Sequence, residues 1–147
     1  MRKEIIEKKR ADIIDTINIV SYNFPHNFLE FHSLGLVKDG LYKRLEYAIE
    51  SVLDICSVIN SDLNLGFPET EDNIIDHLES KKIFDKKTVN IIREMKKFRN
   101  VLVHKYGDID DKKAFEDIKK GLKDFEIIIS EIEKFLKKHR KEEISKK

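Results

Sequence analysis

The run DGLYKRLEYAIESVLDICSVIN, from Asp39 to Asn60, places apolar side chains at Leu41, Leu45, Ala48, Val52, Ile55 and Ile59. The spacing alternates between four and three residues, the period of one helical face that buries itself against antiparallel neighbours. The same period recurs on both sides. Ile6, Ile13, Ile17 and Val20 mark a first helix from about Arg2 to Val20. Thr70 is placed to cap a short helix carrying Ile74, Ile75 and Leu78. Asp85 is a candidate N-cap for a helix through Val89, Ile92, Met95, Phe98 and Leu102. Gly107 suits a left-handed position just past that helix, which puts its end near Tyr106. Asp110 or Asp111 caps a last helix with Phe115, Ile118, Leu122, Phe125, Ile129, Ile132 and Phe135 or Leu136 on its stripe. The stretch from Tyr22 to Lys38 holds Pro25, Gly35 and several aromatics, and reads as a loop or a short irregular helix. These segments predict an all-α fold, an up-and-down bundle of about five helices. They form one domain over residues 1–147, with a frayed basic tail from about 137.

Composition agrees with that architecture. Five Gly and two Pro in 147 residues leave few breaks for a turn-rich β fold. The formal net charge of +1 does not by itself mark a polyanion binder, but the charges are unevenly placed. From Glu46 to Glu79 there are nine acids and no Lys or Arg; from Lys81 to Tyr106 there are nine Lys/Arg against Asp85 and Glu94. The blocks read either as solvated helix faces that attract each other or as a basic surface beside an acidic flank. Cys56 is the only cysteine and falls at an apolar helical position, so no intrachain disulfide can form. The start MRKEIIEKKR has no apolar core of a signal peptide, and no apolar run reaches membrane-spanning length, so a cytoplasmic location is expected.

The chemistry-bearing segment is FRNVLVHKYGD, Phe98 to Asp108, inside the basic block. At about 100° per residue, Arg99 and Tyr106 lie within roughly 20° of each other, and Arg99 and His104 about 140° apart. Asn100 and His104 are i,i+4 neighbours. One straight helix does not aim Arg99 and His104 at one spot. A shared site needs long side chains bending inward, or a second copy of the helix across a two-fold axis. An imidazole can take a proton from a ribose 2′-OH and return one to a leaving oxygen. A guanidinium can grip a phosphate and stabilise the charge that grows on it. Internal attack by the 2′-OH needs no metal, and His26, His32, His77 and His139 form no ligand spacing. Structural readings stand beside these: His104 as a helix-end dipole partner, Arg99 paired to the acidic second helix, Tyr106 as a rim aromatic, Asn100 bonded to backbone. Asp54, on the second helix with Glu46 and Glu50, is either an orienting group for Arg99 or His104 or a surface acid.

The string Arg99-Asn100-Val101-Leu102-Val103-His104-Lys105-Tyr106 resembles the R-N-x-x-x-H-x-Y signature of HEPN proteins, in the HepT branch of ribonuclease toxins. The resemblance extends to the LYKRLEYAIE run from Leu41 to Glu50, the Gly66-Phe67-Pro68 break and the Asp108-Ile109-Asp110 run, and covers about Asp39 to Leu136. It implies a helical bundle that forms a homodimer, joining two motifs into a metal-independent, cofactor-free endoribonuclease site acting on RNA. Arg99 and His104 are then catalytic, with Asn100 and Tyr106 supporting them. It also implies a nucleotidyltransferase antitoxin that moves AMP from ATP to Tyr106, setting a bulky anion beside Arg99. Some HEPN proteins are instead non-catalytic helical partners of nucleotidyltransferases. The intact Arg99/His104 pair favours the enzyme.

Overall fold

In the computed structural model, residues 1–145 are described, with side chains through residue 140. Every regular element among them is helical: α1 (Lys3–Asn23), α2 (Phe28–His32), α3 (Leu36–Asp62), α4 (Glu71–Ser80), α5 (Lys86–His104), a 3₁₀ turn (Tyr106–Asp108) and α6 (Asp111–Ser145). The four long helices close a ring: α3 packs on α1 and α5, and α6 packs on both of these from the other side. The short α4 lies against α3 and α5, and α2 lies against α6. Among the described residues there are six α-helices, the aromatic stretch supplying the short α2.

The apolar stripe of α3 is the centre of this ring. Leu41, Leu45, Ala48, Val52, Ile55 and Ile59 are all buried; Ile49, Leu53 and Cys56 widen the buried face, and Tyr42 extends it toward Phe31 of α2 and Asp111 of α6. Helix α3 begins three residues earlier than its stripe suggests. Gly35 turns the chain with φ +60°, and the first helical residues, Leu36 and Val37, are exposed, so no buried position marks that start. Helix α1 likewise runs past Val20 to Asn23, where the Asn23 amide donates to the Ile19 carbonyl (2.8 Å). Phe24 is then extended, as the residue before Pro25 must be.

Local caps fix the remaining ends. The Asn27 side chain accepts from the Glu30 N–H, that of Thr70 from the Asn73 N–H, and that of Asp85 from the Thr88 N–H. Asp110 rather than Asp111 caps α6, its Oδ1 accepting from the N–H groups of Lys112 and Lys113. Asp111 is used otherwise: its carboxylate accepts from Lys38 Nζ and Tyr42 OH, both at 2.6 Å, and pairs with His32 Nδ1 at 3.1 Å. Phe24, Phe28, Phe31 and Phe115 cluster beside this pin, Phe24 stacked on Phe115 and the other pairs edge-on or tilted, which gives the aromatics of the Tyr22–Lys38 stretch a packing role. On α6, Ile128 rather than Ile129 takes the inner position, Leu122 is half-buried, and Phe135 and Leu136 are both buried. The segment from about 137, expected to fray, continues α6 to Ser145, and Arg140 pairs with Glu7. Residues 146–147 lie outside the described ones.

Candidate functional site

Helix α5 presents its buried face through Val89, Ile92, Met95 and Leu102, which fixes where its polar residues point. Arg93, Lys96 and Arg99 lie along the flank facing α4. Arg93 pairs with Asp76 and Glu79, and Lys96 pairs with Asp72. The acidic and basic blocks of the sequence thus meet, at these positions, as two attracting helix faces.

Arg99 is the most enclosed of the three, with 12% of its side chain exposed. Its Nη1 donates to Glu50 Oε1 on α3 and its Nη2 to Glu71 Oε1 on α4, both at 2.6 Å, while Nε donates to Asn100 Oδ1 at 3.0 Å. Burial alone lowers the Arg99 pKa. The hydrogen bonds it donates to Glu50 and Glu71 outweigh that and hold it above its ordinary value. The expected pairing of Arg99 with the acidic second helix is found, through Glu50. Asp54 does not take part: it is about half exposed and binds Lys9 at 3.1 Å, so it orients neither Arg99 nor His104 within the chain.

His104 is exposed at the last position of α5, and its side chain makes no hydrogen bond or ion pair among the described residues. Arg99 turns inward and His104 outward, so one chain does not bring the two together. The chain then tightens. Lys105 leaves the helix, and the Asp108 N–H donates back to the Lys105 carbonyl at 2.8 Å. This 3₁₀ turn satisfies the helix end without a left-handed residue, and Gly107 is not among the residues of positive φ. Helix α5 therefore stops two residues short of Tyr106, and counting 100° per residue no longer places Tyr106 over Arg99. Tyr106 is 60% exposed. The Lys43 ammonium of α3 has its pKa raised, first by its hydrogen bond to Glu46 and least by the charge of the Tyr106 phenol.

Beside this turn a groove of ≈ 340 Å³ opens between α3, α5 and α6. Phe98, Val101, Ile109 and Phe125 line it, and Lys105 and Asp108 of the motif stand at its rim. Among the described residues no group of three or more His, Cys, Asp or Glu is placed to hold a metal ion. No helix among them is long and apolar enough to cross a membrane.

The sequence profile of the family described as "Ribonuclease HepT-like" matches residues 13–132, most of the chain and the whole of α5. The chain belongs to the HepT-like ribonuclease family. Solved structures share the fold. A toxin–antitoxin crystal structure with AMP-PNP has a chain that superposes with TM-score 0.79 at 22% identity, over 88% of this chain and 98% of that one. The tri-AMPylated HEPN toxin of Shewanella oneidensis in complex with its MNT antitoxin gives 0.78 at 23%, over 88% and 96%. YutE, a cytosolic protein of unknown function from Bacillus subtilis, gives 0.79 at 17%, over 95% and 93%. No curated protein matches the sequence. The HepT-like chain reaches the HEPN bundle with its motif at the end of α5. Glu50 and Glu71, the partners of Arg99, carried little sequence signal. Glu50 is one of five acids on α3, and Glu71 reads as a first-turn acid facing the helix dipole.

Proposed function

We propose that this HepT-like protein is the ribonuclease toxin of a toxin–antitoxin pair, an endoribonuclease that cleaves RNA without a metal. The observation that carries the reading is the motif's placement. His104 at the last position of α5 and Tyr106 in the 3₁₀ turn just past it stand exposed, five and seven residues from Arg99, in a chain that belongs to a ribonuclease family. His104 takes the proton from the ribose 2′-OH and returns one to the leaving 5′ oxygen. Arg99 binds the scissile phosphate and Asn100 orients it through the Nε contact. The products are a 2′,3′-cyclic phosphate end and a 5′-hydroxyl end.

The opposed directions of Arg99 and His104 support a symmetric homodimer in which the ends of the two α5 helices meet. The exposed Val103 and the groove beside Val101 supply apolar surface for the second copy. Tyr106 is the acceptor for AMP carried from ATP by a nucleotidyltransferase antitoxin, as its exposure permits, and a cytoplasmic setting suits both partners. The test is RNA degradation by the purified dimer in EDTA, with the cyclic phosphate identified at the cut ends. Loss of cleavage on chelation, restored by a divalent metal, contradicts the mechanism.

A second reading, a non-catalytic helical partner of a nucleotidyltransferase, is favoured by one observation. The fork of Arg99 is already occupied by two carboxylates. It predicts no RNA degradation by the purified chain.

A further inference from the structure

The two carboxylates on Arg99 differ in how they are held. Glu50 belongs to the 27-residue α3, whose neighbouring Ile49, Ser51, Val52 and Leu53 are buried. Glu71 is the first residue of the 10-residue α4, reached by a loop with positive φ at Asn64 and Gly66; its side chain is 44% exposed, close to the 41% of Glu50, so the difference lies in the backbone that carries each acid. One guanidinium between two carboxylates leaves a cluster of net negative charge. A phosphodiester is repelled there until one carboxylate leaves.

We propose that Glu71 is a latch on Arg99 that an incoming RNA phosphate displaces, while Glu50 remains as the positioning residue that aims the guanidinium. The inference rests on the reading of Arg99 as the phosphate clamp. Release needs only rotation of the Glu71 side chain into water. Helix α4 itself stays on α5 through Asp72 with Lys96 and through Asp76 and Glu79 with Arg93. When Glu71 turns away, Nη1 is still held by Glu50 and Nε by Asn100, so Nη2 is presented to the phosphate in a fixed plane. The latch keeps the site weak toward stray anions and makes affinity for RNA depend on an exchange of one oxyanion for another.

Removing the two acids therefore has opposite consequences. Glu71→Gln keeps the shape and removes the competing charge. It should bind a mixed-sequence 2′-O-methyl oligoribonucleotide, which cannot be cleaved, about fivefold more tightly, the size of a half-exposed ion pair. The slope of log Kd against log salt should steepen by up to about 0.7, because the counterion released at the phosphate is no longer offset by one taken up at the freed Glu71 carboxylate. Glu50→Gln should lower kcat on cleavable RNA by at least about tenfold with a smaller change in that Kd, because the guanidinium loses its aim rather than its charge. Glu71→Asp, one methylene shorter, should fall between wild type and Glu71→Gln and carries the test if the latter does not fold. A second arm uses inorganic pyrophosphate, followed by the NMR resonance of the Arg99 side-chain Nε–H, which should saturate at lower concentration in Glu71→Gln than in wild type. Unchanged or weaker pyrophosphate binding in Glu71→Gln and Glu71→Asp overturns the latch. A stronger pyrophosphate response with no oligonucleotide binding by any variant supports the latch and rejects RNA as the substrate. Parallel losses in both Gln variants mean the acids only hold the helices together.

Discussion

Gly66→Ala places a methyl group in the tightest spot of the connection between α3 and α4. Gly66 has φ +148°, a region that side chains of L-residues avoid, and an added Cβ would stand 2.7 Å from His77 Cε1 and 3.0 Å from its Nε2. The ring has little freedom to yield, because His77 Nδ1 bonds Asn60 Oδ1 at 2.8 Å. The Asn60 amide also donates to the Gly66 carbonyl at 2.9 Å, and Asn60 is 2% exposed. The backbone strain costs about 1–3 kcal/mol. A displaced His77 leaves the buried Asn60 oxygen unpaired, for roughly another 1–3 kcal/mol. For a chain of this length each kcal/mol is worth about 2–4 °C, so the melting temperature should fall by about 5–20 °C. Thermal melting followed by circular dichroism reads this, with urea unfolding as the second measurement. Gly66→Ala combined with His77→Ala should cost less than the sum of the two single changes, since the second removes the atoms the first collides with. A Gly66→Ala protein that melts within about 2 °C of wild type refutes the reasoning.

Three further outcomes are expected. Burial pushes the Asp111 carboxyl up, but hydrogen bonds from Lys38, Tyr42 and His32 outweigh it and hold it below its usual range. That stabilisation is present above the ordinary carboxylate pKa and is lost as pH falls through the lowered one. Between about pH 4 and pH 2, wild type should therefore lose stability more steeply than Asp111→Asn, as read by urea midpoints; equal slopes would count against the pin. Burial pushes the Cys56 thiol up to about 12, so the folded protein should not react with a disulfide reagent until denaturant is added, and prompt colour from the native protein would contradict the packing. Tyr106→Phe should retain much of the RNA cleavage but take no AMP from the antitoxin and ATP, and an adduct seen by mass spectrometry on that variant would move the acceptor elsewhere.

The helices were legible because their signal is periodic. The α3 seam, the stripe of α1 and the caps at Thr70 and Asp85 follow from side chains acting on their own helix. What was not legible depended on contacts across the bundle. The Tyr22–Lys38 stretch has no helical period, and its order comes from Phe115 and Asp111 on α6. The end of α5 was misplaced because Gly107 offered a left-handed stop, whereas the chain used a 3₁₀ turn that leaves no mark in composition. At the site the motif residues could be named in advance, but their partners could not. Asp54 and Glu50 are one turn apart on α3, and only the crossing with α5 sends Arg99 to Glu50 and leaves Asp54 to Lys9.

The ribonuclease account rests above all on His104, and a single comparison bears on it. Purified wild type and His104→Ala are incubated with RNA in EDTA, and cleavage rates and end groups are measured. Wild type should leave 2′,3′-cyclic phosphate ends, and His104→Ala should be slower by at least ~10²-fold, the contribution of an acid/base group. Its melting temperature should be unchanged, because the side chain is exposed and without a partner among the described residues. Equal cleavage by the two proteins would contradict the account.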